Sequence, residues 1–226
     1  MPGVAAINLT HVDTWLFDLD NTLYPPSSGY LLAIEERIKQ YFVRLTGLPD
    51  DEAWALQKRY LVEGGSAVPG LIAHHNADPH EFLRDVHDVP LDLLTPDSVL
   101  RAALTRLPGR RLVFTNGSEW HARRVLDRLA IADLFHEVFH TEAAGLIAKP
   151  DPRAFDALIR AHAVTPATTA FFEDRAVNLK PAAELGMTTV LVGDHAFDSD
   201  ASTEPFVRHR TRSLTDFLNV AAIRIA

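Results

Sequence analysis

The chain alternates between short apolar runs and amphipathic helical patterns over much of its length. Apolar runs of strand length lie at residues 14–17, 112–114, 137–139, 170–172 and 188–192, and helical patterns separate them from residue 111 onward. Strands that alternate with helices form parallel sheets whose two faces are both covered. The pattern therefore predicts an α/β fold with a closing helix near residues 213–220.

A largely helical tract interrupts this alternation directly after the first predicted strand. Leu31, Ile34, Ile38 and Phe42 recur at helical spacing, which predicts a helix with one apolar face. Further helical patterns lie at residues 50–61, 70–75 and 79–86, and another begins near residues 95–97. We therefore predict a sheet core formed by residues 1–24 and 101–226, with a small helical cap domain formed by residues 25–100.

Composition narrows the class of protein. The 226 residues carry a formal net charge of -8, and the pI is about 5.7, so non-specific binding to nucleic acid is disfavoured. The chain contains no cysteine, which excludes disulfides, thiolate metal sites and thiol nucleophiles. It has no apolar run that would span a bilayer and no basic leader at its first residues. We expect a cytoplasmic monomer or dimer that binds neither membranes nor nucleic acid.

Two carboxylates, Asp18 and Asp20, follow the first predicted strand. Open α/β sheets bind their ligands at the carboxyl ends of the strands, which is where both acids are expected to lie. One acid of such a pair can act as a nucleophile or hold a metal while the other transfers protons. A solvated turn is the other interpretation of an isolated Asp-x-Asp sequence, so the remaining motifs must decide.

Polar residues with affinity for anions follow two later segments of the predicted core. Thr115 and Asn116 come after the second strand at a helix entrance, where hydroxyl, amide and backbone N–H groups bind anions. Lys149 precedes Pro150 and Pro152, and the prolines open the next helix. Helix capping and a surface lysine are the simpler alternatives for these residues.

A second carboxylate pair, Glu173 and Asp174, follows the strand predicted at residues 170–172. Together with Asp18 and Asp20 these acids would form an oxygen-rich pocket suited to Mg²⁺. Four acids that converge without a cation would repel one another strongly. The sequence therefore predicts Mg²⁺ at Asp18, Asp20, Glu173 and Asp174.

The four motifs, in this order, resemble those of haloacid dehalogenase-like phosphatases over nearly the whole chain. The resemblance implies a Rossmann-like core and assigns Asp18 as the nucleophile and Asp20 as the general acid/base. It also implies that Thr115 and Lys149 bind the transferring phosphoryl group, and that Asp174, supported by Glu173, helps to hold Mg²⁺. The expected substrate is then a small phosphorylated compound.

The predicted cap resembles the pyrimidine 5'-nucleotidase branch of that family. The similarity lies in Leu23-Tyr24-Pro25, in Gly70-Leu71 with His75, and in Pro90-Leu91 before Pro96-Asp97. It implies a nucleoside monophosphate as substrate. We predict that Asn116 contacts the substrate and that His75 and Asn76, with His74 and Asp88 as further candidates, meet its base or sugar.

Other functions remain open at this point. The phosphatase could act on a sugar phosphate or on phosphoglycolate instead, and a phosphomutase would share all four motifs. A non-catalytic binding protein is expected to lose one of the motif residues, and this chain keeps them all. Haloacid dehalogenation is disfavoured because the resembling dehalogenases have no acid at the position of Asp20.

Overall fold

A computed structural model describes residues 7–198, 204–221 and 223. Its strands are β1 (Thr14–Phe17), β2 (Arg110–Phe114), β3 (Glu137–Phe139), β4 (Thr169–Glu173), β5 (Thr188–Val192) and β6 (His209–Thr211). They form one sheet in the order β3-β2-β1-β4-β5-β6, and every pairing is parallel. The predicted α/β fold with a Rossmann-like sheet is confirmed.

The helices of the described residues fall into an inserted group and a core group. The inserted group is α1 (Tyr30–Thr46), α2 (Asp50–Gly64), α3 (Val68–His75) and α4 (Pro79–His87). The core group is α5 (Ser98–Thr105), α6 (Glu119–Arg128), α7 (Pro152–His162), α8 (Ala176–Glu184) and α9 (Leu214–Val220).

Each strand of the sheet contributes side chains to both faces. In β1, Trp15 and Phe17 lie in one buried cluster with residues of α5, α6 and α9, whereas Leu16 lies in a second cluster with residues of α7 and α8. The same alternation separates Phe172 from Phe171 in β4, because successive side chains of a strand point to opposite faces. All four residues of β1 are buried, which explains its continuous apolar sequence.

The strand order places a ligand-binding crevice beside β1. Chain order runs outward from β1 in both directions, through β2 to β3 and through β4 to β6. Ligands of open α/β sheets bind at the carboxyl ends of the strands where the order reverses, which here is between β1 and β4. The residues that follow Phe17 and Phe172 are therefore neighbours, since these two residues are paired in the register.

The inserted helices have a hydrophobic core of their own. Tyr41 and Phe42 of α1 pack with Tyr60 of α2, and with Leu71 of α3 and Phe82 of α4, in a third buried cluster. Leu100 and Leu104 of α5 lie instead in the first sheet cluster, and α5 contacts α9. The predicted boundary at residue 100 thus falls inside α5.

One strand has no counterpart in the sequence prediction. β6 has three residues, His209, Arg210 and Thr211, of which the first two are only partly buried. It lies at the edge of the sheet and pairs with β5 alone, so it needs no apolar run. Among the described helices, none has both the length and the apolar character required to cross a bilayer.

Candidate active site

Asp18 lies immediately beyond β1 and is held by the neighbouring strand. Its backbone N–H donates to the carbonyl of Phe172 at 2.8 Å, which continues the β1–β4 ladder by one residue. Thr22, in the turn that follows, donates its hydroxyl to Asp18 Oδ2 at 3.3 Å. Asp18 is only 6% exposed, yet it lines a cavity of about 240 Å³. Its carboxylate is therefore largely buried but accessible from a small cavity.

Lys149 joins three segments of the core through its ammonium group. Lys149 Nζ donates to Asp18 Oδ1, Glu173 Oε2 and the carbonyl of Phe114, each at 2.7 Å. The side chain is 1% exposed. Three acceptors match the three N–H bonds of an ammonium, so Lys149 is a buried, fully bonded cation and the alternative of a simple surface lysine is excluded.

Asn116 fixes the backbone of Lys149. Its Oδ1 accepts from Lys149 N at 2.8 Å and its Nδ2 donates to Lys149 O at 3.0 Å. Gly65, directly after α2, approaches the same carbonyl so closely that a Cβ atom there would lie 2.3 Å from Lys149 O. The Asn116 side chain is thus engaged in positioning the lysine loop, beside the end of α2.

Thr115 stands between β2 and α6, as the sequence predicts. Its side chain is 1% exposed, and its hydroxyl oxygen accepts from the backbone N–H of Gly117 at 2.9 Å. Ser118 caps α6 by accepting from the backbone N–H of His121 at 3.2 Å. Thr115, Asn116 and Gly117 line the same cavity as Asp18, so hydroxyl and backbone donors at a helix entrance lie beside this carboxylate.

Three of the four predicted metal ligands converge. Carboxylate oxygens of Asp18, Glu173 and Asp174 all lie within 4.8 Å of one another. Asn178, on the first turns of α8, lines the same cavity with a buried Oδ1 that has no hydrogen-bond partner. Hard oxygen donors of this kind suit a divalent cation, and the orphaned amide oxygen fits an additional contact to a bound metal or its water.

The pKa values of the acids in this cluster reflect their burial and their mutual repulsion. Burial, and then the charge of Glu173, raises the pKa of Asp18 to about 7, against the effect of Lys149. Burial and the same neighbour raise the pKa of Asp174 well above its usual range. Burial acts on Glu173 too, but the Lys149 ammonium holds the pKa of Glu173 below its ordinary value. A cation bound here would favour the ionised forms.

Asp20 lies outside that cluster and is clamped by two donors. Tyr24 OH donates to Asp20 Oδ1 at 2.6 Å, and His121 Nε2 contacts the same oxygen at 2.8 Å. Burial alone would raise the pKa of Asp20, but His121 and the hydrogen bonds lower it to about 2. One carboxylate oxygen is thereby fixed, and the residue still lines the cavity. Its geometry suits proton transfer better than metal ligation.

A stacked histidine pair connects this clamp to the insertion. The rings of His87, the last residue of α4, and His121 have centroids 4.3 Å apart and an interplanar angle of 12°. His87 Nδ1 also contacts Ser118 Oγ at 3.1 Å. Burial, reinforced by His121, lowers the pKa of His87 to about 3. His87 is therefore a neutral ring that lines the cavity from the insertion side.

The predicted substrate contacts of the cap lie elsewhere. His75 Nε2 contacts Tyr60 OH at 3.0 Å, and Asn76 ends α3 in the left-handed conformation. His74 stacks on Tyr60; neither these three residues nor the exposed Asp88 lines the cavity. The reason is that Val68, the first residue of α3, and the preceding Ala67 line the cavity, whereas the polar carboxyl end of α3 does not.

Sequence reasoning missed several polar residues of the site, among them His87, His121, Gln57 and Asn178. The first three share one signal, because each occupies a position on the buried face of an amphipathic helix. Gln57, for example, lies between Ala53 and Tyr60 on the buried side of α2. A polar residue in such a position is expected to contact a polar group of the protein or of a ligand, which periodicity cannot identify.

The sequence profile of haloacid dehalogenase-like hydrolases matches residues 12–186. This chain belongs to that family. The matched segment contains every motif residue described above, from Asp18 to Asp174. The conclusion agrees with the buried lysine–carboxylate cluster at the switch point of the sheet.

Relatives and solved structures extend this result. The chain is 32% identical over 206 residues to Phosphate metabolism protein 8 of Saccharomyces cerevisiae, which covers 82% of this chain and 64% of the yeast protein. This chain therefore spans less than two thirds of the length of the yeast protein.

The chain is 29% identical over 230 residues to glyceraldehyde 3-phosphate phosphatase of Methanopyrus kandleri, and the match covers 92% of this chain and 97% of the archaeal protein. A HAD phosphatase from Thermococcus onnurineus has the same fold, with a TM-score of 0.62, 19% identity and coverage of 93% and 99% of the two chains.

The acidic cluster predicts metal-dependent stability. Mg²⁺ should raise the Tm of the protein, since a ligand present at about 100 times its Kd stabilises the native state by about 3 kcal/mol. Asp174→Asn should remove most of that rise. Differential scanning calorimetry with a Mg²⁺ titration measures it, and Asp194→Asn, which changes an acid that is 92% exposed outside the cluster, is the matched control. Equal rises in both variants would contradict the assignment.

Burial of neutral His87 predicts a specific pH dependence of stability. Because its pKa is lowered to about 3 from 6.5, the unfolded chain binds a proton below pH 6.5 that the native state does not bind. His87 therefore lowers the free energy of unfolding progressively as the pH falls from about 6.5 to about 3, by at most about 1.4 kcal/mol per pH unit.

Urea unfolding at pH 7.5 and pH 5 checks this prediction. His87→Asn keeps a polar group near Ser118 but does not titrate, so its stability relative to the wild type should improve as the pH falls. The comparison with the wild type separates His87 from Asp18, whose raised pKa acts in the opposite direction. The exposed His80→Gln variant is the control. A stability difference that is constant with pH would refute the buried neutral state.

Proposed function

We propose that this chain is a Mg²⁺-dependent phosphomonoester hydrolase that acts through an aspartyl-phosphate on Asp18. The observation that carries the proposal is the contact of 2.7 Å between Lys149 Nζ and Asp18 Oδ1 inside a cavity that Thr115 and Asp174 also line. This arrangement provides a nucleophile beside a fixed positive charge and anion-binding donors. The phosphatase names of the archaeal relatives support it.

In the first step, Asp18 attacks phosphorus and the bond from phosphorus to the leaving oxygen breaks. Asp20 donates a proton to that oxygen. With a pKa of about 2, Asp20 must gain this proton when substrate binds, and the approach of an anionic phosphate favours that gain because like charge raises a carboxyl pKa. The Lys149 ammonium offsets negative charge on the phosphoryl oxygens, and the Thr115 hydroxyl orients them.

In the second step, Asp20 accepts a proton from water while the water oxygen attacks phosphorus. The bond between Asp18 and phosphorus breaks, and inorganic phosphate is released. The ionised state of Asp20 suits this role of general base. Mg²⁺ held by Asp18 and Asp174, with Glu173 in support, would offset the negative charge of the phosphoryl group.

Within this class we propose a pyrimidine 5'-nucleotidase, which converts a nucleoside monophosphate to nucleoside and phosphate in the cytoplasm. The cap motifs support this branch. A phosphatase of small sugar phosphates is the second candidate, because two archaeal relatives carry the name glyceraldehyde 3-phosphate phosphatase. Both candidates share the chemistry at Asp18 and differ only in the leaving group.

Substitution of the two aspartates separates their roles. Asp18→Asn should lower kcat/KM for p-nitrophenyl phosphate about a thousandfold or more, since removal of a nucleophile abolishes the covalent route. Asp20→Asn should lower kcat/KM more for uridine 5'-monophosphate than for p-nitrophenyl phosphate, because p-nitrophenolate leaves readily without a proton. Phosphate release measures both, and circular dichroism verifies folding. Full activity of Asp18→Asn would overturn the mechanism.

A substrate panel decides between the two leaving-group classes. With Mg²⁺, kcat/KM for uridine and cytidine 5'-monophosphate should exceed that for glyceraldehyde 3-phosphate, phosphoglycolate and ribose 5-phosphate by about tenfold or more, equivalent to one well-placed hydrogen bond or apolar contact. Phosphate release quantifies each reaction, and product analysis with a sugar phosphate tests for a mutase. A preference for glyceraldehyde 3-phosphate would favour the second candidate.

A further inference from the structure

The cavity has a polar floor and an apolar roof. The floor comes from the sheet core and includes the residues assigned above to phosphoryl transfer. The roof, which we define as the part of the lining from α1, α2 and α4, includes Leu31, Ile34, Ile38, Leu61, Phe82 and Val86. A leaving group that projects from the floor must therefore have an apolar surface of its own.

One carboxamide interrupts the roof. Gln57 of α2 lines the cavity and is only 6% exposed. Its Oε1 is buried and has no hydrogen-bond partner. A buried acceptor without a partner destabilises the folded state, and such groups in native proteins require an explanation. A donor on the ligand would supply the missing hydrogen bond.

Two neighbouring residues restrict the polarity and the charge of that ligand. Ser66, which follows α2 and lines the same cavity, also has a buried hydroxyl oxygen without a partner. The half-buried Glu35 of α1 is the only charged residue among the described insertion residues of the lining. The cations of the lining, Lys149 and Arg175, belong to the core, so a carboxylate or a second phosphate that lay against the insertion would be repelled by Glu35. The insertion therefore favours an uncharged leaving group.

We propose that Gln57 is the specificity-determining residue of the site and recognises the amide edge of a pyrimidine base. This inference rests on the proposed phosphatase function. A carboxamide offers an acceptor and a donor in one plane, which matches a base edge that carries a donor next to an acceptor. Rotation of the carboxamide by a half-turn exchanges the two atoms, so the same residue serves uracil and cytosine. The flat faces of the base pack against the apolar roof.

The test compares two substrates that share the sugar and the phosphate. The ratio of kcat/KM for uridine 5'-monophosphate to that for ribose 5-phosphate isolates the contribution of the base. Gln57→Leu and Gln57→Glu should each lower this ratio by about 5-fold to 150-fold, the equivalent of 1–3 kcal/mol. Gln57→Glu retains the length of the side chain and supplies a second variant if Gln57→Leu folds poorly.

Gln40→Leu is the matched control, because it makes the same change at an exposed glutamine of the neighbouring α1, and it should leave the ratio unchanged. A wild-type ratio near one, or a ratio that Gln57 substitutions leave unchanged while both activities fall, would overturn base recognition by Gln57 without affecting the phosphatase proposal. Failure of the wild type to hydrolyse even p-nitrophenyl phosphate with Mg²⁺ would overturn the proposed function itself.

Discussion

The structure of the site depends on one buried ammonium group. Lys149 Nζ donates hydrogen bonds to Asp18, which follows β1, to the carbonyl of Phe114 at the end of β2, and to Glu173 at the end of β4. It therefore ties together the carboxyl ends of three adjacent strands. Removing one partner of a buried charge pair typically costs about 3–5 kcal/mol, because the remaining charge has no compensation. The same group that connects these strand ends holds the Asp18 carboxylate in place.

The carboxylates around Lys149 outnumber the positive charges that could neutralise them. One ammonium contacts the carboxylates of Asp18 and Glu173, and Asp174 lies beside them. Burial and the charge of Glu173 raise the pKa values of Asp18 and Asp174. An arrangement of this kind is stable with protons or a divalent cation to share the charge, and without them the convergence of the acids destabilises the protein.

The core could be predicted from the sequence because its signals are local. Each of the five predicted strands is an apolar run, and Asp18, Thr115, Lys149 and Glu173 each follow a recognisable strand or loop feature. The partners of Asp20 could not be predicted in this way. His121 lies about a hundred residues away and reaches Asp20 only through the packing of α6. The cap shows the same limit, since helical periodicity does not specify which face of α3 meets the core, and His75 and Asn76 lie outside the cavity.

The stacked rings of His87 and His121 connect the inserted helices to the core. His87 belongs to the inserted helices, yet its ring lies against the residue that clamps Asp20. The insertion thus supports the histidine that holds Asp20 and also covers the cavity. A chimera that exchanged residues 25–87 for the cap of another family member would lose both His87 and Tyr30, whose ring also stacks on His121 at a centroid distance of 6.0 Å. Grafting a new substrate preference onto this scaffold therefore requires aromatic rings at the start of α1 and at the end of α4.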